Sequence, residues 1–277
     1  MMLEDEALLV LCQEACNAAR AAGELIASFS NCKVVVNTKS GGDSLASQVV
    51  TEVDIQCESL ILEKLQSSIE CFDIALLTEE REDDRQRLIK DYFWCIDPLD
   101  GTLAFTESKP GYAVSIALVS NGGIPVIGVV YDPVTATLYS AIKGHGAFRG
   151  GQPWCLNETQ KKPTLCVPCD RSFQEHPDYH SQIQAVEAWA VSRSLAGIET
   201  IHDAGAVMNA CWALENAPSL YFKKPKPVPG GGSLWDFAAT ACLFSELGAI
   251  VCDFQGQALD LNSEESTFMN QRGVIFA

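Results

Sequence analysis

The stretch that most constrains the fold is residues 111–142, GYAVSIALVSNGGIPVIGVVYDPVTATLYSAI. Apolar strand-length runs are separated by turn signals, Asn-Gly-Gly near 122 and Asp-Pro at 132. Such spacing predicts an antiparallel β-meander. Helices flank it. Leu8, Leu11, Cys12, Ala15, Ala19, Ala22, Ile26 and Phe29 recur at helical spacing. Thr51 is a candidate N-cap for a second helix marked by Val53, Cys57, Leu60, Ile61 and Leu65. Residues 33–48, with Ser-Gly-Gly-Asp, read as a polar loop. IALLTEE (74–80) and YFWCID (92–97) are short strands that end in acids, and the charged REDDRQRLIK between them reads as a solvated, mobile loop.

The Gly-rich KGHGAFRGGQPW closes the first half. After it, strand and helix signals alternate: PTLCVPCD, SQIQAVEAWA, AGAVMNACWALEN, LYF, LWDFAATACLFSELG, AIVCDF and GVIFA. This argues for an α+β or α/β layered arrangement. Two halves are expected, residues 1–155 and 156–277, without internal repeats.

The chain has 277 residues, 47% apolar and 20% charged, an ordinary soluble composition. No run of about 18 apolar residues is present, so no membrane span is expected. The N-terminus is acidic and lacks the basic start of a secretory signal. Twelve cysteines, mostly in apolar periodic stretches, predict buried thiols and a cytoplasmic setting. A formal charge of −17 excludes the basic footprint of a nucleic-acid polymer binder. It also opposes any small anionic substrate, unless bound cations invert the local field.

Four acids stand at element boundaries. Glu79 follows one buried strand, Asp97 and Asp100 follow the next, and Asp236 opens a helix after a Gly-rich loop. Rigid elements aim such side chains into clefts. Hard cations such as Mg²⁺ take carboxylate oxygens together with substrate phosphate. In DPLDGT (97–102), Pro98 fixes a torsion and has no N–H to satisfy. Gly101 and Thr102 open a predicted helix whose free N–H groups suit an anion. Taken singly, D-x-x-D reads as a turn, Asp236 as an N-cap and Glu79-Glu80 as surface. Taken together they read equally well as a metal site.

TEVD (51–54), LLTEE (76–80), DPLDGT (97–102) and WDFAA (235–239) resemble the motifs of the inositol monophosphatase superfamily, in the same order and at similar separations. The likeness extends over nearly the whole chain and is weakest from about 155 to 200. It implies a layered αβαβα sandwich of the inositol monophosphatase and fructose-1,6-bisphosphatase type. It implies a phosphomonoester hydrolase using two to three Mg²⁺ ions, with Li⁺ as inhibitor. One ion would be held by Glu79, Asp97 and the Leu99 carbonyl, a second by Asp97, Asp100 and Asp236, and a third near Glu79. Thr102 and Glu79 would position the attacking water, with Asp54 behind the threonine. Gly101 and Thr102 would contact the phosphate. A homodimer is compatible with the resemblance.

Two subfamilies compete for the substrate. Ser192-Arg193-Ser194 and GAIVCDFQGQALDLN (248–262) are similar to stretches of the bacterial 3′(2′),5′-bisphosphate nucleotidases. These convert adenosine 3′,5′-bisphosphate to AMP and phosphate. Ser194, Lys223 and Lys224 are then candidate substrate contacts, with Lys226 nearby, since a second phosphate would favour lysines in so acidic a chain. Lys223 also stands where inositol phosphatases usually carry a glutamate. Against this, Leu103 follows DGT where those nucleotidases often have lysine, Ala206 replaces a common serine or threonine, and Leu195 follows S-R-S in place of histidine. Inositol monophosphatase activity is the alternative. A phosphoryl-ligand-binding protein without turnover is a third reading, and it usually goes with lost acids. Cys166, Cys169, His176 and His180 have a Cys-to-His gap much shorter than zinc-finger spacing.

Overall fold

The computed structural model describes residues 3–29, 36–38, 49–156 and 162–277. Helix α1 (Asp5–Phe29) buries Leu8, Leu11, Ala15, Ala19, Ala22 and Ile26 along one stripe, as the periodicity predicts. Strand β1 (Val36–Thr38) pairs antiparallel with β2 (Val49–Thr51). The predicted 33–48 loop thus carries a short strand, and the rest of it lies outside the described residues. Helix α2 (Glu52–Phe72) starts on Thr51 as predicted, through a capping box with Asp54.

Next come β3 (Ala75–Thr78), a 3-10 turn (Gln86–Leu88), β4 (Tyr92–Asp100), the one-turn helix α3 (Thr102–Thr106), β5 (Ala113–Ser120), β6 (Pro125–Asp132), β7 (Thr137–Ile142), β8 (Gly146–Arg149) and β9 (Gln152–Trp154). They form one seven-stranded sheet in the order β3 to β9. β3 and β4 are parallel and every later pair is antiparallel. The predicted meander is β5–β7. The Gly-rich closing stretch adds two strands to it.

The second half contains β10 (Leu165–Pro168), α4 (Arg171–Gln174), α5 (Tyr179–Ser192), β11 (Ile198–Ile201), α6 (Ala206–Glu215), β12 (Tyr221–Lys223), α7 (Leu234–Glu246), β13 (Val251–Cys252) and β14 (Val274–Phe276). β10 and β11 are parallel, while β14 runs antiparallel between β12 and β13. A bridge from Cys166 to Ser219 lays the first group beside the second.

Central strand β5 is buried on both faces, which explains its continuous apolar sequence. Val114, Ile116 and Leu118 pack toward α1 and α2, and Ala113, Ala117 and Val119 toward α6 and α7. Beyond α6 and α7 lie the second strand group and α5, whose apolar contacts centre on Leu165, Val167 and Ala190. The result is the layered αβαβα sandwich that the motifs imply.

The 81–90 loop is largely exposed, as predicted, except at Arg87. Arg87 is only 1% exposed. Its Nε donates to Asp83 Oδ2 at 2.8 Å and its Nη1 to Asn262 Oδ1 at 2.6 Å. A buried guanidinium needs such partners, and they fasten the loop to the C-terminal half. All cysteines among the described residues are free, and most are buried. Among these residues no helix is long and apolar enough to cross a membrane.

Candidate active site

A backbone irregularity creates the site. In a regular strand, residues three apart face opposite sides of a sheet. In β4, Asp97 pairs with Ser115 and Asp100 with Ala113, so three steps on one strand match two on the other. This bulge at Pro98 and Leu99 brings both carboxylates to the same face. Asp100 is then fixed by the start of α6, where Ala206 N and Val207 N donate to Oδ1 and Oδ2 at 3.1 and 2.9 Å. Gly205 makes room for it: a Cβ there would lie 2.2 Å from Asp100 Oδ2. Gly101 closes the bulge at φ 82°, with Gly111 O only 2.7 Å from where its Cβ would be.

Asp236 enters from α7. It is the third residue of a capping box on Ser233, whose N–H donates to Oδ2. Oxygens of Asp97, Asp100 and Asp236 lie within 4.8 Å of one another. Glu79, half-buried just after β3, interacts with Asp97. Glu58, 3% exposed on α2, steadies that strand end: it accepts from the Thr78 hydroxyl and, at 2.9 Å, from Arg81 Nε.

Thr102 Oγ1 lies 3.1 Å from Asp54 Oδ1 and 3.0 Å from the Leu99 carbonyl. Asp54 is held in turn by the backbone N–H and hydroxyl of Thr51. Thus Asp54 and Asp236 both sit at the third position of a capping box, where a helix start fixes them.

Burial raises the carboxyls of Asp97 and Asp100 well above the usual range; Glu79 adds to the first and Asp236 to the second. Burial raises Asp236 too, opposed by Lys223. Desolvated like charges this close call for a cation. All the donors are hard oxygens, and the donor set fits magnesium.

Lys223 ends β12 beside this cluster, its side chain 17% exposed, with Nζ 3.4 Å from Asp170 Oδ2. Burial works against its charge, but Asp170, Asp236 and Asp100 outweigh it and raise its pKa. Asp170 also accepts from Asn209 Nδ2 at 3.0 Å and the Tyr221 hydroxyl at 3.2 Å. Sequence reasoning missed Asp170, Asn209, Tyr221 and Glu58. Only the position of Asp170 just after a predicted strand could have drawn attention to it.

The structure does not bring Ser194 or Lys224 to the cluster. Ser194 is exposed after α5, near the start of β11, whereas Asp170 follows the end of the parallel strand β10. The two therefore flank opposite ends of that pair. Lys224 is exposed just beyond β12. Cys166 and Cys169 are buried while His176 and His180 are exposed. Among the described residues, the acidic trio is the one group of three or more potential ligands with donor atoms so close.

A sequence model of the inositol monophosphatase family matches residues 9–276, and the chain belongs to that family of metal-dependent phosphatases. The 3′(2′),5′-bisphosphate nucleotidase CysQ of Salmonella typhimurium is 30% identical over 264 residues, covering 93% of this chain and 96% of that protein. Inositol monophosphatase 1 of Solanum lycopersicum is 27% identical over 259 residues, covering 92% and 89%. The crystal structure of CysQ from Bacteroides thetaiotaomicron superposes with a TM-score of 0.73 at 24% identity, covering 96% of each chain. That last likeness bears on the fold.

Proposed function

We propose that this phosphatase is magnesium-dependent and hydrolyses adenosine 3′,5′-bisphosphate to AMP and phosphate. The observation that carries the reading is the crowding of Asp97, Asp100 and Asp236, buried together with Glu79 alongside. Glu79, Asp97 and the Leu99 carbonyl would hold one Mg²⁺, and Asp97, Asp100 and Asp236 a second, with a third near Glu79. Bound there, magnesium supplies charge that polarises the phosphate, stabilises the leaving oxygen and acidifies water. Thr102 and Glu79 orient the attacking water, and Asp54 holds the threonine. The backbone at Gly101 and Thr102 faces the phosphate. Residues 1–155 contribute most of these groups, and residues 156–277 complete the site through Asp236 and the substrate pocket.

Lys223 favours the bisphosphate, because it places a cation beside the acids in a chain of charge −17. The similarity to CysQ supports the same choice. Inositol 1-phosphate is the second reading: Asp170 beside Lys223 is an acceptor for polyol hydroxyls, and the tomato relative carries that name. A silent ligand-binding protein fits poorly, since every acid and Thr102 are retained. Ser194 and Lys224 stay outside the proposed contact set.

The test compares kcat/KM for the two substrates at saturating Mg²⁺. At least about a tenfold preference for adenosine 3′,5′-bisphosphate is expected, equivalent to roughly 1.4 kcal/mol. A preference for inositol 1-phosphate overturns the substrate assignment and leaves the metal site standing.

A further inference from the structure

Four charged side chains form a closed ring at the rim of the site, drawn from three separate segments. Arg171 engages Glu107 with both arms of its guanidinium, at 2.6 and 2.7 Å, and reaches Asp203 at 3.5 Å. Lys109 closes the ring to Glu107 at 3.1 Å and Asp203 at 3.4 Å. Glu107 and Lys109 follow α3, Arg171 follows Asp170 at the end of β10, and Asp203 follows β11.

Each segment leads directly into the site. α3 begins at Thr102. Asp170, the neighbour of Arg171, holds Lys223. Gly205, packed on Asp100, is two residues from Asp203, a span of at most about 7 Å. The ring therefore stands one small-molecule length from the acids. A single exposed ion pair contributes little to stability, and a bidentate pair within a network, as here, contributes more. These side chains remain 27–45% exposed, and the ring is closed by two non-glycine residues in the left-handed region, Ser108 (φ 56°) and Asp203 (φ 74°). Backbone in such regions concentrates at ligand clamps. The Arg171 guanidinium, with Lys109, holds the Glu107 carboxyl down at about 2, so the ring stays charged at neutral pH.

The direction of displacement fits as well. Attacking and leaving oxygens lie roughly in line on phosphorus. Thr102 and Asp54 mark the water side, against α2. In this reading the leaving group departs on the side away from Thr102 and Asp54, toward the Arg171 and Asp203 arm of the ring. A guanidinium fork accepts carboxylate and phosphate in the same two-point geometry.

We propose that Arg171 and Lys109 receive a second anionic group carried by the leaving group, and that Glu107 and Asp203 occupy these cations until that group displaces them. This rests on the phosphatase reading of the acid cluster and adds a selector for bisphosphates over monophosphates.

The experiment measures KM for adenosine 3′,5′-bisphosphate and for adenosine 3′-monophosphate, which differ only in the second anion, for wild type, Arg171→Ala and Glu107→Gln. Arg171→Ala should raise KM for the bisphosphate tenfold or more. Glu107→Gln, which removes a competing carboxylate, should lower it several-fold. Neither should change KM for the monophosphate or kcat for either substrate. Shifts of the same sign for both variants, or equal shifts on both substrates, mean a structural ring and overturn the proposal. Unchanged KM values overturn it too. If wild type releases phosphate from neither nucleotide, the nucleotidase reading has failed, and the selector falls with it.

Discussion

Asp100→Asn should remain folded and release phosphate at least about a thousandfold more slowly than wild type at saturating Mg²⁺, a loss of roughly 4 kcal/mol in transition-state stabilisation. Asparagine keeps the shape and can still accept one backbone N–H at the start of α6, but it removes a charge from the metal cluster. Without metal the substitution should stabilise the protein. The Asp97, Asp100 and Asp236 carboxyls are raised by burial and crowding. A carboxyl raised on folding favours the folded state fully only below its unfolded value near pH 4, and that contribution is lost as pH climbs through the raised value. In EDTA, the Tm of Asp100→Asn should therefore exceed that of wild type, and the gap should widen from pH 5 to pH 8. Added Mg²⁺ should raise the wild-type Tm far more than the variant's. Turnover near the wild-type level would remove Asp100 from the centre.

Thr102→Val should lower kcat by about a hundredfold or more, in the range of lost proton-transfer or water-positioning groups. Valine preserves the β-branched shape in a site where Thr102 is 7% exposed, so packing changes little. The hydroxyl linking Asp54 to the Leu99 carbonyl is lost. Asp54 keeps its two donors from Thr51, so the start of α2 stays capped. Calorimetric Mg²⁺ titration should give unchanged stoichiometry and affinity, which separates this variant from Asp100→Asn. Thr102→Ser should recover most of the rate. Weakened metal binding in the valine variant would instead mean that Thr102 serves the ions and not the water.

Much of the site was legible because local rules place it. Thr51 to Asp54 shows a capping pattern before an apolar helical stripe, and Asp236 opens a helix after glycines. The meander's turn signals located β5 to β7. What escaped depends on distant partners. That Asp97 and Asp100 share a face follows from strand register, which no local pattern encodes. Asp100 accepts from residues 106 and 107 positions away. Arg87 looks like one more surface charge until Asn262 meets it. Ser192-Arg193-Ser194 matched a motif by composition, yet the parallel course of β10 and β11 puts it at the wrong end. Asp170 and Arg171, at the right end, carried no local signal beyond following a strand.

The proposed reaction runs through a metal held by Asp97, Asp100 and Asp236. Its most direct measurement is phosphate release from adenosine 3′,5′-bisphosphate by metal-stripped protein as Mg²⁺ is restored. Release should be at background without metal, rise to saturation with Mg²⁺, and fall when Li⁺ is added. Undiminished release from the stripped protein would contradict the metal centre.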